Sequence, residues 1–193
     1  MTQGDLQNLL RLTMVNPRAA ATQIMAQNLP AAFGWTSLLL MSVISAFFGY
    51  MGFMLSGGET DPALTALFGS PLRMAVIQLA ALALTGVLAF WVGQRFGGKG
   101  SLSQALVLVA WAQVPPVLLQ LAQLVAIVVA PGFAPLFGIA GFALYAVLLS
   151  LFIAQLHGFR SGVLVFFGMI VVSILVAFLV AILFVILIGV PHV

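Results

Sequence analysis

The chain has 193 residues, of which 64% are hydrophobic and only 5% charged, with no cysteine and a formal net charge of +3. Soluble domains run at about 45–50% apolar and about 25% charged, so this composition, with a mean hydropathy of +1.28, describes an integral membrane protein. Six basic residues make too small a footprint for a nucleic-acid partner, and the absence of cysteine excludes disulfides and Cys-ligated zinc or iron–sulfur centres.

The opening residues show no basic start followed by an apolar core and a small-residue cleavage site, so no signal peptide is expected. Residues 1–30 read instead as an amphipathic arm. Leu6, Leu9, Leu10 and Met14 recur at helical spacing, while Gln7, Asn8 and Arg11 fall on other faces. Asp5 stands where it can cap this helix, and Asn16–Pro17 reads as a break, a fresh cap and a first-turn proline. Two placements of the arm are open. It can lie on the headgroups of an anionic leaflet through Arg11 and Arg18, each cation contributing about 1 kcal/mol, or it can pack on the end of the bundle.

Residues 31–193 form the membrane domain. The first span, 31–55, carries Ser42, Ser45, Ala46, Gly49 and Gly52 as a small-residue edge suited to close helix contact. The loop SGGETDP holds Glu59 and Asp61 and leads to a short interfacial helix, ALTALF. Ser70–Pro71 repeats the cap-and-proline signal and opens the second span, 72–96, with Arg73 in its first turn, placed to snorkel or to pair with Glu59 or Asp61. Gly93 and Gly97 make a Gly-x-x-x-Gly that offers a weak dimerisation reading.

Ser101 and Gln104 stand at capping-box spacing and start the third span, 102–130. That span carries Pro115–Pro116 in its middle. The two prolines lack an N–H and clash with the preceding turn, so the helix must kink or open. The freed carbonyls near Trp111 and Ala112 then need partners that lipid does not offer. Gln113 and Gln120 are seven residues apart and share a face of an unbroken helix, with Gln123 about 60° away. These five residues are the candidate intramembrane site: Gln113, Pro115, Pro116, Gln120 and Gln123. They either line a transporter-like cavity or hydrogen-bond neighbouring helices.

The fourth span, 136–156, has Tyr145, Ser150 and Gln155 as its polar side chains, and the fifth, 163–190, is apolar enough to face lipid over much of its circumference. In a five-span arrangement Arg11, Arg18, Arg95, Lys99 and Arg160 gather on the side of the N-terminus, and only Arg73 falls on the other. The positive-inside rule then places the N-terminus in the cytoplasm and the C-terminus outside. Those five cations are the candidate cytoplasmic basic face. Chemistry is poorly supplied: His157 and His192 are expected on opposite sides, no acid falls within a span, and GGKGS lacks the spacing of a phosphate-binding loop. No enzyme activity, metal or cofactor is expected.

The arm with NPRAA, the five spans, GGKGS opening a span, WAQVPP within it and HGFRSG before the last resemble the bacterial branch of the Yip family, relatives of Ypt/Rab-interacting membrane proteins. The resemblance covers about residues 10–190. It implies a cytoplasmic N-terminus and an opposite C-terminus, but no catalytic residues. Eukaryotic members act in vesicle trafficking and bind prenylated small GTPases. Their long N-terminal region and Asp-Leu-Tyr-Gly-Pro signature are not found here, so that role is not carried over. The expectation is an all-α polytopic bundle of five spans in a bacterial cytoplasmic membrane, with N-terminal amphipathic interfacial helices. It would act as an adaptor or membrane organiser that contacts lipids and a protein partner or further copies of itself. The alternative is a small transporter or lipid-translocating protein using the kinked third span.

Overall fold

The computed structural model describes residues 3–57 and 62–188, and all the regular structure in them is helical. The arm forms α1 (Gln3–Val15) and α2 (Pro17–Met25). The membrane domain comprises α3 (Ala31–Leu55), the short α4 (Pro62–Phe68), α5 (Pro71–Arg95), α6 (Leu102–Ala112), α7 (Val114–Val129), α8 (Ala134–His157) and α9 (Gly162–Ile188). Five segments are long and apolar enough to cross a membrane, with α6 and α7 together making the third. Glu59, Asp61 and His192, and the end of the fifth expected span at 189–190, lie outside the described residues.

Local chemistry sets the helix boundaries. Asn16 accepts a hydrogen bond from the Ala19 N–H at 3.1 Å, and Pro17 takes the first position of α2, where its missing donor costs nothing. Ser70 caps α5 in the same way ahead of Pro71. Ser101 and Gln104 close a full capping box, the serine hydroxyl accepting from Gln104 N–H at 3.3 Å and the glutamine Oε1 from Ser101 N–H at 3.2 Å. Gly97 (φ 83) and Gly158 (φ 74) turn the chain out of α5 and α8 in the left-handed region that favours glycine.

Helix α6 is the centre of the bundle. It packs on α3, α5, α8 and α2, and Ala105 to Ala110 and Ala112 are all buried. Close approach depends on glycine. A Cβ on Gly34 of α3 would stand 2.7 Å from Leu106 Cβ, and one on Gly86 of α5 would stand 2.8 Å from Leu106 Cδ2. Both neighbouring backbones therefore come closer to α6 than any larger residue permits. On α3 the small-residue edge turns inward, with Ser42, Ser45 and Ala46 buried. Helix α9 takes the opposite role: it packs on α8, and Val163, Phe167, Ile174, Phe178 and Ile186 are exposed along its length, as a lipid-facing helix requires.

The arm packs on the bundle rather than lying free of it. Leu9, Ala20, Ala21 and Ile24 share one apolar cluster with Ala105, Leu108, Leu148 and Phe152. Thr13, fully buried, accepts a hydrogen bond from Trp111 Nε1 at 2.9 Å and donates to Leu9 O at 2.8 Å. Leu6, Met14 and Val15 remain exposed on the outer side of α1, so its outer face also suits a membrane interface.

Gly34→Val and Gly86→Val should each lower stability by about 1–3 kcal/mol through overpacking against Leu106. Thermal unfolding in detergent should show both falling, while Gly168→Val on α9, where no atom lies within 4 Å of an added Cβ, should melt like the parent.

Candidate functional site

The third span does not kink as one helix; it divides. Helix α6 ends at Ala112, Gln113 forms the joint, and α7 starts at Val114 with Pro115 and Pro116 in its first turn, where prolines need no donor. Gln113 N–H bonds Ala110 O at 3.2 Å, a tightened last turn, and Val117 N–H bonds Gln113 O at 3.0 Å, the first bond of the new helix. The break is absorbed by packing: Gln113, Pro115, Pro116 and Val117 are all buried.

Gln113 is in the right-handed helical region and opens the hydrogen-bond ladder of α7, yet it and Gln120 meet different neighbours. Gln113 directs its side chain toward the Tyr145 hydroxyl of α8, short of hydrogen-bond geometry. Gln120 and Gln123 instead line a cleft of about 300 Å³ between α3 and α7, facing Phe48, Gly49, Gly52, Phe53 and Ser56. Gln123 also lies 3.4–3.5 Å from where a Cβ on Gly138 of α8 would be. The five residues of the candidate intramembrane site thus fall into a buried joint and a cleft wall.

A histidine organises the end of the bundle where α5, α6 and α8 meet the 96–101 loop. His157, the last residue of α8, is buried. Its Nδ1 accepts the Gly100 N–H at 3.3 Å, which leaves Nε2 carrying the proton and donating to Ala89 O at 2.9 Å. Phe159 stacks on the ring at 5.5 Å. Added Cβ atoms on Gly93 and Gly98 would each stand 2.1 Å from ring nitrogens. The glycines of the loop and of the preceding helix end therefore form the socket for this imidazole. Gly93 serves an intrachain contact here, not the dimerisation face its spacing with Gly97 suggests. Sequence reasoning treated His157 only as a non-catalytic helix end; the signal available was the pairing of a lone histidine with a glycine-rich loop.

Around this plug the cations have distinct duties. Arg18 donates to Phe159 O at 3.4 Å and to Arg160 O at 2.9 Å, tying α2 to the turn between α8 and α9. Gln155 Nε2 adds a 3.0 Å bond to Thr22 Oγ1. Arg95 lies over the Trp91 ring at 4.5 Å, a cation–π contact. Arg11, Lys99 and Arg160 are exposed. Arg73 belongs to the opposite end, where it donates to Ala66 O of α4. Its expected acidic partners lie outside the described residues. No group of three His, Asp or Glu side chains comes together among the described residues.

A family model described as Yip1 domain matches residues 11–185. No curated protein and no solved structure gives a match.

His157→Ala should destabilise the protein by about 1–3 kcal/mol by leaving Gly100 N–H and Ala89 O without their partner. Gly98→Ala should be costly in the parent and much milder in the His157→Ala background, a coupling of about 0.5–3 kcal/mol. Additive losses in a double-mutant cycle of detergent melts would show that the socket does not hold the ring.

Proposed function

Because the chain belongs to the Yip1-domain family of membrane proteins, we propose that it works without catalysis, as an adaptor or membrane organiser whose docking surface is the basic end of the bundle. The observation that carries this reading is the construction of that end. Three separate segments, the arm, the 96–101 loop and the 158–161 turn, are fastened to one another by His157 and Arg18. A surface held this firmly presents Arg11, Lys99 and Arg160 in fixed relation, and preorganisation lowers the entropy cost of binding an acidic partner. The positive-inside rule supports a cytoplasmic position for this end, and an acidic protein segment fits it in charge.

The roles of the cations separate in a way that a test can use. Arg18 is committed to backbone carbonyls, so its loss should loosen the arm as well as change charge. Arg11, Lys99 and Arg160 are free to be replaced without touching the fold. The triple change of Arg11, Lys99 and Arg160 to Gln should leave the melting temperature within the error of the parent and abolish recovery of copurifying proteins from native membranes. Retention of every such protein by a folded triple variant would refute the docking surface.

The orientation has its own test, made simple by the absence of native cysteine. Lys99→Cys and Arg160→Cys should react with a membrane-impermeant maleimide only after the membrane is opened, whereas Ser56→Cys should react in intact cells.

A further inference from the structure

The cleft between α3 and α7 lies away from the basic end, and its contents differ from those of the other helix contacts. Its walls are Phe48, Gly49, Gly52, Phe53 and Ser56 on one side and Gln120, Gln123, Leu124 and Ile127 on the other. Its volume of about 300 Å³ is at the lower end of small-molecule sites, about 300–1,000 Å³. Gly52 faces the α7 wall: a Cβ there would make ordinary contact with Leu124 Cδ2 at 3.5 Å and Ile127 Cδ1 at 3.6 Å, and a longer side chain would enter the cleft.

Two amides line it without protein partners. Among the described residues no hydrogen bond engages the side chain of Gln123, and Gln120 Oε1 is sealed from solvent with no partner. Ser42, Thr85 and Ser150 bond carbonyls of their own helices and Gln155 bonds Thr22, while Ser45 Oγ and the Tyr145 hydroxyl, outside the cleft, share with Gln120 Oε1 the lack of a partner. An amide left unpaired in hydrocarbon is costly, so the cleft calls for a ligand that both donates and accepts.

Depth and charge narrow the class. Gln123 and Gln120 stand six and nine residues before the end of α7 at Val129, about 9 and 14 Å inside it at 1.5 Å per residue. A headgroup bearing phosphate or ammonium would have to leave water to reach them, and among the described residues no charged side chain lines the cleft to receive it. An uncharged polar group can make that move. Phe48, Phe53, Leu124 and Ile127 offer an apolar channel for a chain, and Ser56 at the end of α3 marks the mouth.

We propose that the α3–α7 cleft is a binding site for an uncharged lipid of the diacylglycerol class, its ester oxygens accepting from the side-chain N–H groups of Gln120 and Gln123, its hydroxyl donating to Gln123 Oε1, and an acyl chain held along Phe48, Phe53, Leu124 and Ile127. The site is independent of the docking surface at the basic end, and neither depends on the other being correct. It is a binding site and implies no flux.

The test uses the full chain in lipid discs doped with a diacylglycerol carrying a photoreactive group on one chain, with crosslinks mapped by mass spectrometry. Labelling should concentrate at 48–56 and 120–127 and be competed by unlabelled diacylglycerol. It should fall about tenfold in the Gln120→Leu/Gln123→Leu variant, the loss expected from one or two hydrogen bonds. Gly52→Leu, which fills the cleft from its α3 wall, should abolish it. Melting temperatures of both variants show that they are folded, and the Leu pair, being apolar, is expected to be at least as stable as the parent. Labelling spread evenly along the lipid-facing α9, labelling unchanged in both variants, or equal labelling by a photoreactive phosphatidylglycerol would each overturn the proposal.

Discussion

Everything in this bundle depends on α6 being surrounded by protein. A transmembrane helix buried on all sides gains nothing from the hydrophobic effect over one in lipid, because lipid tails are as apolar as its neighbours. What holds it is close packing, and close packing needs small residues at the contacts. Gly34 of α3 and Gly86 of α5 provide them, both against Leu106. The arm closes a further side, with Ala20, Ala21 and Ile24 packed into the cluster that includes Ala105 and Leu108.

The proline pair follows from the same requirement. A central helix that ran straight through would carry all its neighbours along one axis. By ending α6 at Ala112 and restarting at Val114, the chain lets its first half serve as the shared core and its second half pair with α3 and α8. The joint sits where Gln113 is buried beside Tyr145. The α3–α7 cleft opens only in the second half, beyond the joint.

At the basic end one imidazole does the work that salt bridges do in soluble proteins. The chain has only three acidic residues, and the end is fastened by hydrogen bonds that His157 and Arg18 form with backbone groups. Such bonds leave the exposed Arg11, Lys99 and Arg160 to lipid headgroups or an acidic partner.

Composition, hydropathy and punctuation were enough to read the five apolar segments, the capped starts at Asn16, Ser70 and Ser101, and the family resemblance, because membrane insertion and capping are local rules that each segment obeys by itself. The lipid-facing character of α9 was legible for the same reason. The joint was legible as an event, since two adjacent prolines always interrupt a helix, but not in its outcome. Which neighbours Gln113 and Gln120 meet depends on how the other helices pack around α7. The socket for His157 joins residues far apart in sequence, and the cleft lies where Gly52 comes opposite Leu124 and Ile127. Sequence fixes which groups are available; the tertiary structure alone decides which of them meet, because distance between helices is set by packing and not by any one segment.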